Sequence, residues 1–238
     1  MSRILAIDTA GPVLGLAVAE DGAVVHRVEE HGPVQHVEHL VPHIEIILRQ
    51  CDWPVTSLAA VAVAAGPGSF TGLRVGMAAA KAIALAVGIP VVSVDSLEAL
   101  AATERFLASA PVTELLIPVL DARKQRLYTA VFETTDGELT RLEPDGDLTV
   151  EAFRTMVRRH TTGGRAWRAP GPMAYRCMSE EGAAETLADR VTAAPGVAIR
   201  GAVALQQGRV DGPYDGPFYL REGDIGTRKA SPRFRPDA

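Results

Sequence analysis

The chain has 238 residues, 47% of them hydrophobic, enough to bury a core in one large domain or two small ones. Its formal net charge of −5 gives no global attraction to phosphate backbones, so tight nucleic-acid binding by this chain alone is not expected. Two cysteines, Cys51 and Cys177, are too few for a disulfide framework and lack metal spacing, and "MSRILAIDTA" is too short an apolar start for a signal peptide, so the expected location is the cytoplasm.

Short β-prone runs at Ile4 to Ile7, Leu14 to Ala19 and Ala23 to Val28 are separated by "DTAGPV" and "EDG", which predicts a three-stranded meander. From about Val34 to Gln50 apolar residues recur at helical spacing despite Pro42, predicting an amphipathic helix. "LAAVAVAA" (Leu58 to Ala65) reads as a buried strand, Arg74 to Val87 as a helix stopped by Gly88, "VVSV" as a strand, and Ser96 as the start of another helix. The longest apolar stretch, Val75 to Val94, carries Lys81, Gly88 and Pro90 and therefore reads as a helix followed by a strand, not as a membrane span. The order βββαβαβα indicates an α/β layer fold. A second half restarts near Glu114: "LAIDTAGPVLGLAVAEDG" and "PVLDARKQRLYTAVFETTDG" share a plan in which Asp8 matches Asp121, and Ala17 and Val18 match Ala130 and Val131, at one constant offset. Beyond Thr149 the expected elements are helices at Glu151 to His160 and Ala198 to Gln207, then an irregular tail from Gly208.

"GPGSFTG" (Gly66 to Gly72) follows a strand and precedes a helix, where amides and the helix dipole can hold an anion. It is no P-loop, because the Lys-Ser or Lys-Thr ending is missing. The helix it launches carries Gly72, Gly76, Ala80 and Ala84 every four positions and is apolar nearly all round. A helix of that kind needs two apolar bodies, so the small-residue stripe is expected to receive a helix from a partner subunit. His36, His39 and His43 fall close together around the first helix, but without an HExxH they read as the rim of a packed amphipathic helix, and no metal is expected. Asp8 and Thr9 after the first strand, with Asp121 in the second half, could contact a phosphate or cap their own turns. "TTGG" (Thr161 to Gly164) has the composition of a loop and could mimic a nucleotide loop. Arg158, Arg159, Arg228, Arg233 and Arg235 read as a solvated face or an RNA-facing one.

Taken together, "ILAIDTA", "HVEHLVPHIEIIL", "AAGPGSFTGLRVGMAAAKAIALAVGIPVVSVDSLEAL", "LDARKQRLYTAVF" and "PFYLR" resemble the TsaB family, the dimerisation subunit of the bacterial tRNA threonylcarbamoyladenosine synthesis complex. The resemblance implies a two-lobed acetate-kinase/actin/Hsp70-like (ribonuclease H-like) fold with a reduced second lobe: 1–105 as partner-docking lobe, 106–207 as degenerate lobe, 208–238 as tail. It implies docking to the catalytic paralogue TsaD through two helices, with His36, His39, Leu40, His43, Ile47, Phe70, Gly72, Leu73, Gly76, Met77 and Ala80 at the interface. The P-loop ATPase TsaE is the implied further partner, tRNA is met only through the complex, a homodimer stays open for the isolated chain, and no cofactor or membrane is involved. The catalytic family's HxxxH metal pair falls here on Ser96 and Leu100, so this chain is expected to be silent alone. The rival expectations are a small-molecule kinase of the same superfold, needing Asp8 or Asp121 at a nucleotide cleft, and a zinc metallopeptidase.

Overall fold

Strand β1 (Arg3–Asp8) alternates large residues, Leu5 and Ile7, with the smaller-faced pair Ile4 and Ala6, and all four are fully buried. Such a strand needs cover on both faces, and the rest of the fold supplies it. The computed structural model describes residues 1–31, 36–108, 114–135, 138–173 and 192–221. Strands β2 (Leu14–Glu20), β3 (Ala23–Glu30), β4 (Ala60–Gly66) and β5 (Val91–Asp95) join β1 in the order β3-β2-β1-β4-β5. The meander pairs are antiparallel, and β1–β4 and β4–β5 are parallel, as crossovers through α1 (His36–Gln50) and α2 (Phe70–Val87) require.

On one face of this sheet Leu5, Ile7, Leu16, Val18, Val61 and Val63 pack on Ile44, Ile47 and Leu48 of α1 and on Met77, Ala80 and Ala84 of α2. On the other face Ala6, Ala17, Ala19, Ala62 and Ala64 meet α3 (Ser96–Leu107) and α5 (Ala194–Gln206). Small residues recur there because α5 lies close: a side chain at Gly201 would come 2.5 Å from the Ala62 methyl.

The second sheet is built from β6 (Glu114–Leu116), β7 (Val119–Asp121), β8 (Arg126–Thr135), β9 (Glu138–Thr149) and β10 (Trp167–Arg168), with α4 (Val150–Thr161) between β9 and β10. β6 and β7 pair with successive parts of β8 and act as one strand interrupted at Ile117 and Pro118. The order β9-β8-(β6, β7)-β10, antiparallel except for the parallel β6–β10 pair, repeats the first four strands of the first sheet. Asp8 and Asp121 close the equivalent strands β1 and β7, so the weak sequence repeat has a structural counterpart. One face of this sheet packs on Phe153, Met156 and Val157 of α4, while Leu116, Tyr128, Ala130 and Phe132 on the other face join the core that holds α3 and α5. Two sheets sharing a layer of helices give the expected two-lobed fold.

The expected lobe boundary at 207 needs correction, because α5 packs on β1, β2, β4, β5 and α3. The chain returns to the first lobe after the second. Asp8 anchors the return: its Oδ2 accepts the N–H of Ala193, the residue preceding α5, at 2.6 Å. Residues 208–221 form no helix or strand, yet they are tied down. Asp211 accepts from the N–H and hydroxyl of Ser93, Phe218 donates its N–H to the Ala65 carbonyl at 2.7 Å, and Arg221 reaches Asp147 in the second lobe at 2.6 Å.

Candidate docking surface

Helix α2 starts where Ser69 accepts the N–H of Gly72 and ends at Gly88, which adopts the left-handed conformation (φ 73°) that terminates helices. Between these caps nearly every side chain is apolar, and still only 33% of the 18 residues are buried. The buried six are Gly72, Leu73, Gly76, Met77, Ala80 and Ala84, the whole small-residue stripe among them. By length and composition this is the one helix, among the described residues, that could cross a membrane; its seat on the sheet makes it a core helix instead.

The sequence expectation about the stripe is therefore reversed. A Cβ on Gly72 would overlap the Thr9 carbonyl oxygen and stand 3.1 Å from the carbonyl carbon, and a Cβ on Gly76 would overlap Thr9 Oγ1. The glycines admit the backbone at the end of β1, and Thr9 completes the junction by donating its hydroxyl to the Gly72 carbonyl at 2.7 Å. Leu73, Met77 and Ala80 of α2 and Leu40 and Ile47 of α1 likewise point into the chain's own core, so none of these expected contact residues is on the surface. The physical reason is that an all-apolar helix has no polar side to orient it, and the face carrying Gly72 and Gly76 goes where the end of β1 comes closest.

What remains outside is an apolar face at helical spacing. Ala78, Ala82, Leu85 and Ala86 are exposed, Leu85 at 86%, with Val75, Ala79 and Ile83 half-buried beside them. α1 packs alongside α2 and adds exposed Val41 and Ile46. At the head of α2, Phe70 is 45% exposed; its ring lies 5.0 Å from that of Tyr219 and under the Arg74 guanidinium. The tail thus borders this surface, with Lys81 reaching the carbonyls of Pro213 and Asp215. Exposed apolar patches on folded proteins are candidate interaction surfaces. These outward residues were missed in the sequence because glycines and alanines suggest close helix contact without saying with what.

The histidines lie on the rim of α1. His36 opens the helix, and its side chain is outside the described residues. His39 and His43 are half-buried and both face Glu30 of β3.

Two of the three residues of the possible phosphate group are engaged within the fold. Asp8 is buried, with its carboxylate accepting from Ala10 and Ala193, and Thr9 is engaged on Gly72. Asp121 is exposed, accepts the N–H of Arg123 at 2.8 Å, and lines two cavities, one of about 350 Å³ with Lys124, Tyr128 and Arg221 and one of about 390 Å³ with Ala10, Gly11, Pro12 and Leu120, which also line the Asp8 pocket. Asp8 instead borders a pocket of about 20 Å³ together with Ser96 and Leu100, the positions matching the paralogue's metal histidines. Ser96 is buried and its hydroxyl accepts the N–H of Gly66 at 3.1 Å. "TTGG" ends α4: Thr161 and Thr162 bond back to the carbonyls of Val157 and Arg158, and Gly163 and Gly164 take positive φ. Arg159 pairs with Glu143, whereas Arg228, Arg233 and Arg235 lie outside the described residues.

Two carboxylates are perturbed away from the docking face. Burial, then the neighbouring Asp145 carboxyl, pushes Asp95 up to about 7 although the Glu98 N–H and Arg141 favour its charged form. Burial also raises Glu104, which Arg168 contacts at 3.3 Å while bonding Glu114 at 2.9 Å.

Comparison with known proteins follows these features closely. The family model described as "TsaD: tRNA N6-adenosine threonylcarbamoyltransferase" matches residues 30–160, which include α1, α2 and the whole β6–β9 segment. The chain is 33% identical over 155 residues to a Bacillus subtilis protein named tRNA threonylcarbamoyladenosine biosynthesis protein TsaB, covering 65% of this chain and 66% of that one. It is 30% identical over 172 residues to the Escherichia coli protein of the same name, covering 70% and 73%. A crystal structure of an uncharacterized Pseudomonas aeruginosa protein with similarity to peptidase YEAZ superposes with a TM-score of 0.79 at 24% identity, over 93% of this chain and all of that one, so the fold is shared. With the paired lobes, the glycine-motif helix seated on β1 and these relatives in agreement, the chain belongs to the TsaB family.

Proposed function

We propose that this chain acts in tRNA threonylcarbamoyladenosine biosynthesis as a non-catalytic subunit that pairs with the catalytic paralogue TsaD through the outward faces of α1 and α2. The observation that carries the proposal is the bare apolar face of α2: a helix two-thirds unburied, lined by Ala78, Ala82 and Leu85, in a protein whose relatives are named for this pathway. Small residues let a partner helix approach closely, and Leu85 supplies the bulk such a contact buries. The absence of histidines at Ser96 and Leu100 and the narrowness of the pocket there support the non-catalytic part. In the same proposal TsaE joins through the paralogue, and tRNA meets the assembly and not this acidic chain. The kinase alternative loses support, since Asp8 and Thr9 are engaged within the fold.

Co-expression with the paralogue and gel filtration is the direct test. The wild-type pair is expected to co-elute, and Ala82→Glu, which sets a charge in the middle of the exposed face, is expected to separate the two while leaving this chain folded. Threonylcarbamoyl-adenylate and tRNA should yield no modified adenosine with this chain alone and should do so once the paralogue is added. Co-elution unchanged by Ala82→Glu would remove α2 from the interface, and turnover by the isolated chain would end the non-catalytic reading.

A further inference from the structure

The end of β3 and the second and third turns of α1 bring together three potential metal donors that no sequence motif connects. His39 and His43, four residues apart, share one side of the helix, and the Glu30 carboxylate reaches both: Oε1 lies 2.8 Å from His39 Nδ1 and Oε2 lies 3.5 Å from His43 Nε2. One donor atom from each residue falls within 4.8 Å of the other two, the one such group among the described residues.

The tautomer of His43 is set by its other nitrogen. Nδ1 lies 2.8 Å from the His39 carbonyl oxygen, which can only accept, so Nδ1 carries a hydrogen and Nε2 is the nitrogen left facing Glu30. Glu30 Oε2 is itself removed from solvent and has no hydrogen-bond partner. Nε2 and a carboxylate oxygen thus face each other across 3.5 Å, a gap that a proton on Nε2 or a bound cation can bridge. The backbone bond to Nδ1 is the arrangement by which metal-binding histidines are held in orientation. Two imidazoles and one carboxylate suit zinc, nickel or copper and not the all-oxygen preference of magnesium or calcium. His39 is 43% exposed, so solvent reaches the group from that side.

We propose that Glu30, His39 and His43 form a binding site for a zinc-class divalent cation, clamping the N-terminal half of α1 to the end of β3. This site lies on the rim of α1, beside the outward face that the proposed pairing uses.

Tag-free, chelator-treated protein titrated calorimetrically with zinc chloride, and separately with nickel and magnesium chlorides, tests it. Zinc and nickel are expected to saturate at about one equivalent and magnesium to show no saturation. His43→Ala and Glu30→Gln each remove a direct donor and should weaken zinc binding at least as much as loss of a second-shell partner does, about 10–100-fold. His26→Ala, whose ring bonds Gln50 elsewhere, should bind as wild type. Because the metal binds the folded chain, zinc should raise the melting temperature of the wild type and leave a His39→Ala, His43→Ala double variant unmoved, with circular dichroism showing that the double variant is folded. No saturable zinc uptake, equal uptake of magnesium, or uptake unaltered in the double variant would each overturn the site and leave a histidine–carboxylate ion pair in its place.

Discussion

Placing leucine at Gly76 tests which face of α2 belongs to the fold. A Cβ there overlaps Thr9 Oγ1 and meets Val63 Cγ2 at 3.4 Å and Ile7 Cγ2 at 3.6 Å, so three further carbons have no space to enter. Thr9 cannot turn away cheaply, since its hydroxyl holds the Gly72 carbonyl in a fully buried bond. Overpacking costs about 1–3 kcal/mol and occasionally more, the lost hydrogen bond about 1 kcal/mol, and replacing a helical glycine returns about 1 kcal/mol, for a net destabilisation of about 1–3 kcal/mol. For a chain of this size that is a fall of roughly 2–12 °C in melting temperature. Ala82→Leu, on the exposed face, should change stability by no more than about 0.5 kcal/mol. Alanine sharpens the comparison: Gly72→Ala collides with the Thr9 backbone and should cost more than Gly76→Ala, which meets a movable hydroxyl. Thermal and urea unfolding of the four variants on one protein preparation give the ranking. A Gly76→Leu protein that melts with the wild type would show that the stripe is not seated on β1, and the docking face would then have to be exchanged for the stripe.

Asp8→Ala leaves the buried N–H groups of Ala10 and Ala193 without their acceptor and should cost about 2–4 kcal/mol in urea unfolding; a neutral outcome would reopen a ligand role for Asp8. Arg168→Met strands Glu104 and Glu114 and should cost about 2–3 kcal/mol, at the low end for a buried pair because the arginine is 30% exposed; unchanged stability would show that solvent reaches both carboxylates. Asp95 holds its proton more tightly folded than unfolded, so the wild type should lose stability as pH rises from about 4, the unfolded value, to about 7. Asp95→Asn keeps an oxygen for the Glu98 N–H and should flatten that decline, gaining on the wild type above pH 7; parallel stability curves for the two proteins would refute it.

Local chemistry was enough to mark most elements. Gly88 after Val87 and the constant offset between Asp8 and Asp121 act over a few residues or repeat a pattern, and they marked the α2 end and the repeated half. The apolar circumference of α2 likewise marked a helix that packs on the sheet. Which face met which neighbour was beyond them, because an all-apolar helix has no polar side to orient it. That choice was made by the approach of Thr9, 63 residues from Gly72 along the chain. The same holds for Asp8, whose turn-capping signal was legible while its partner Ala193, 185 residues away, was not. It holds again for α5, which rejoins the first sheet after the second lobe, and for Glu30, which stands before His39 and His43 only because β3 and α1 pack side by side. Propensity and periodicity are properties of neighbours in sequence; docking faces, buried bonds and ligand sets are properties of neighbours in space, and in this protein those neighbours lie as far apart in the chain as Asp8 and Ala193.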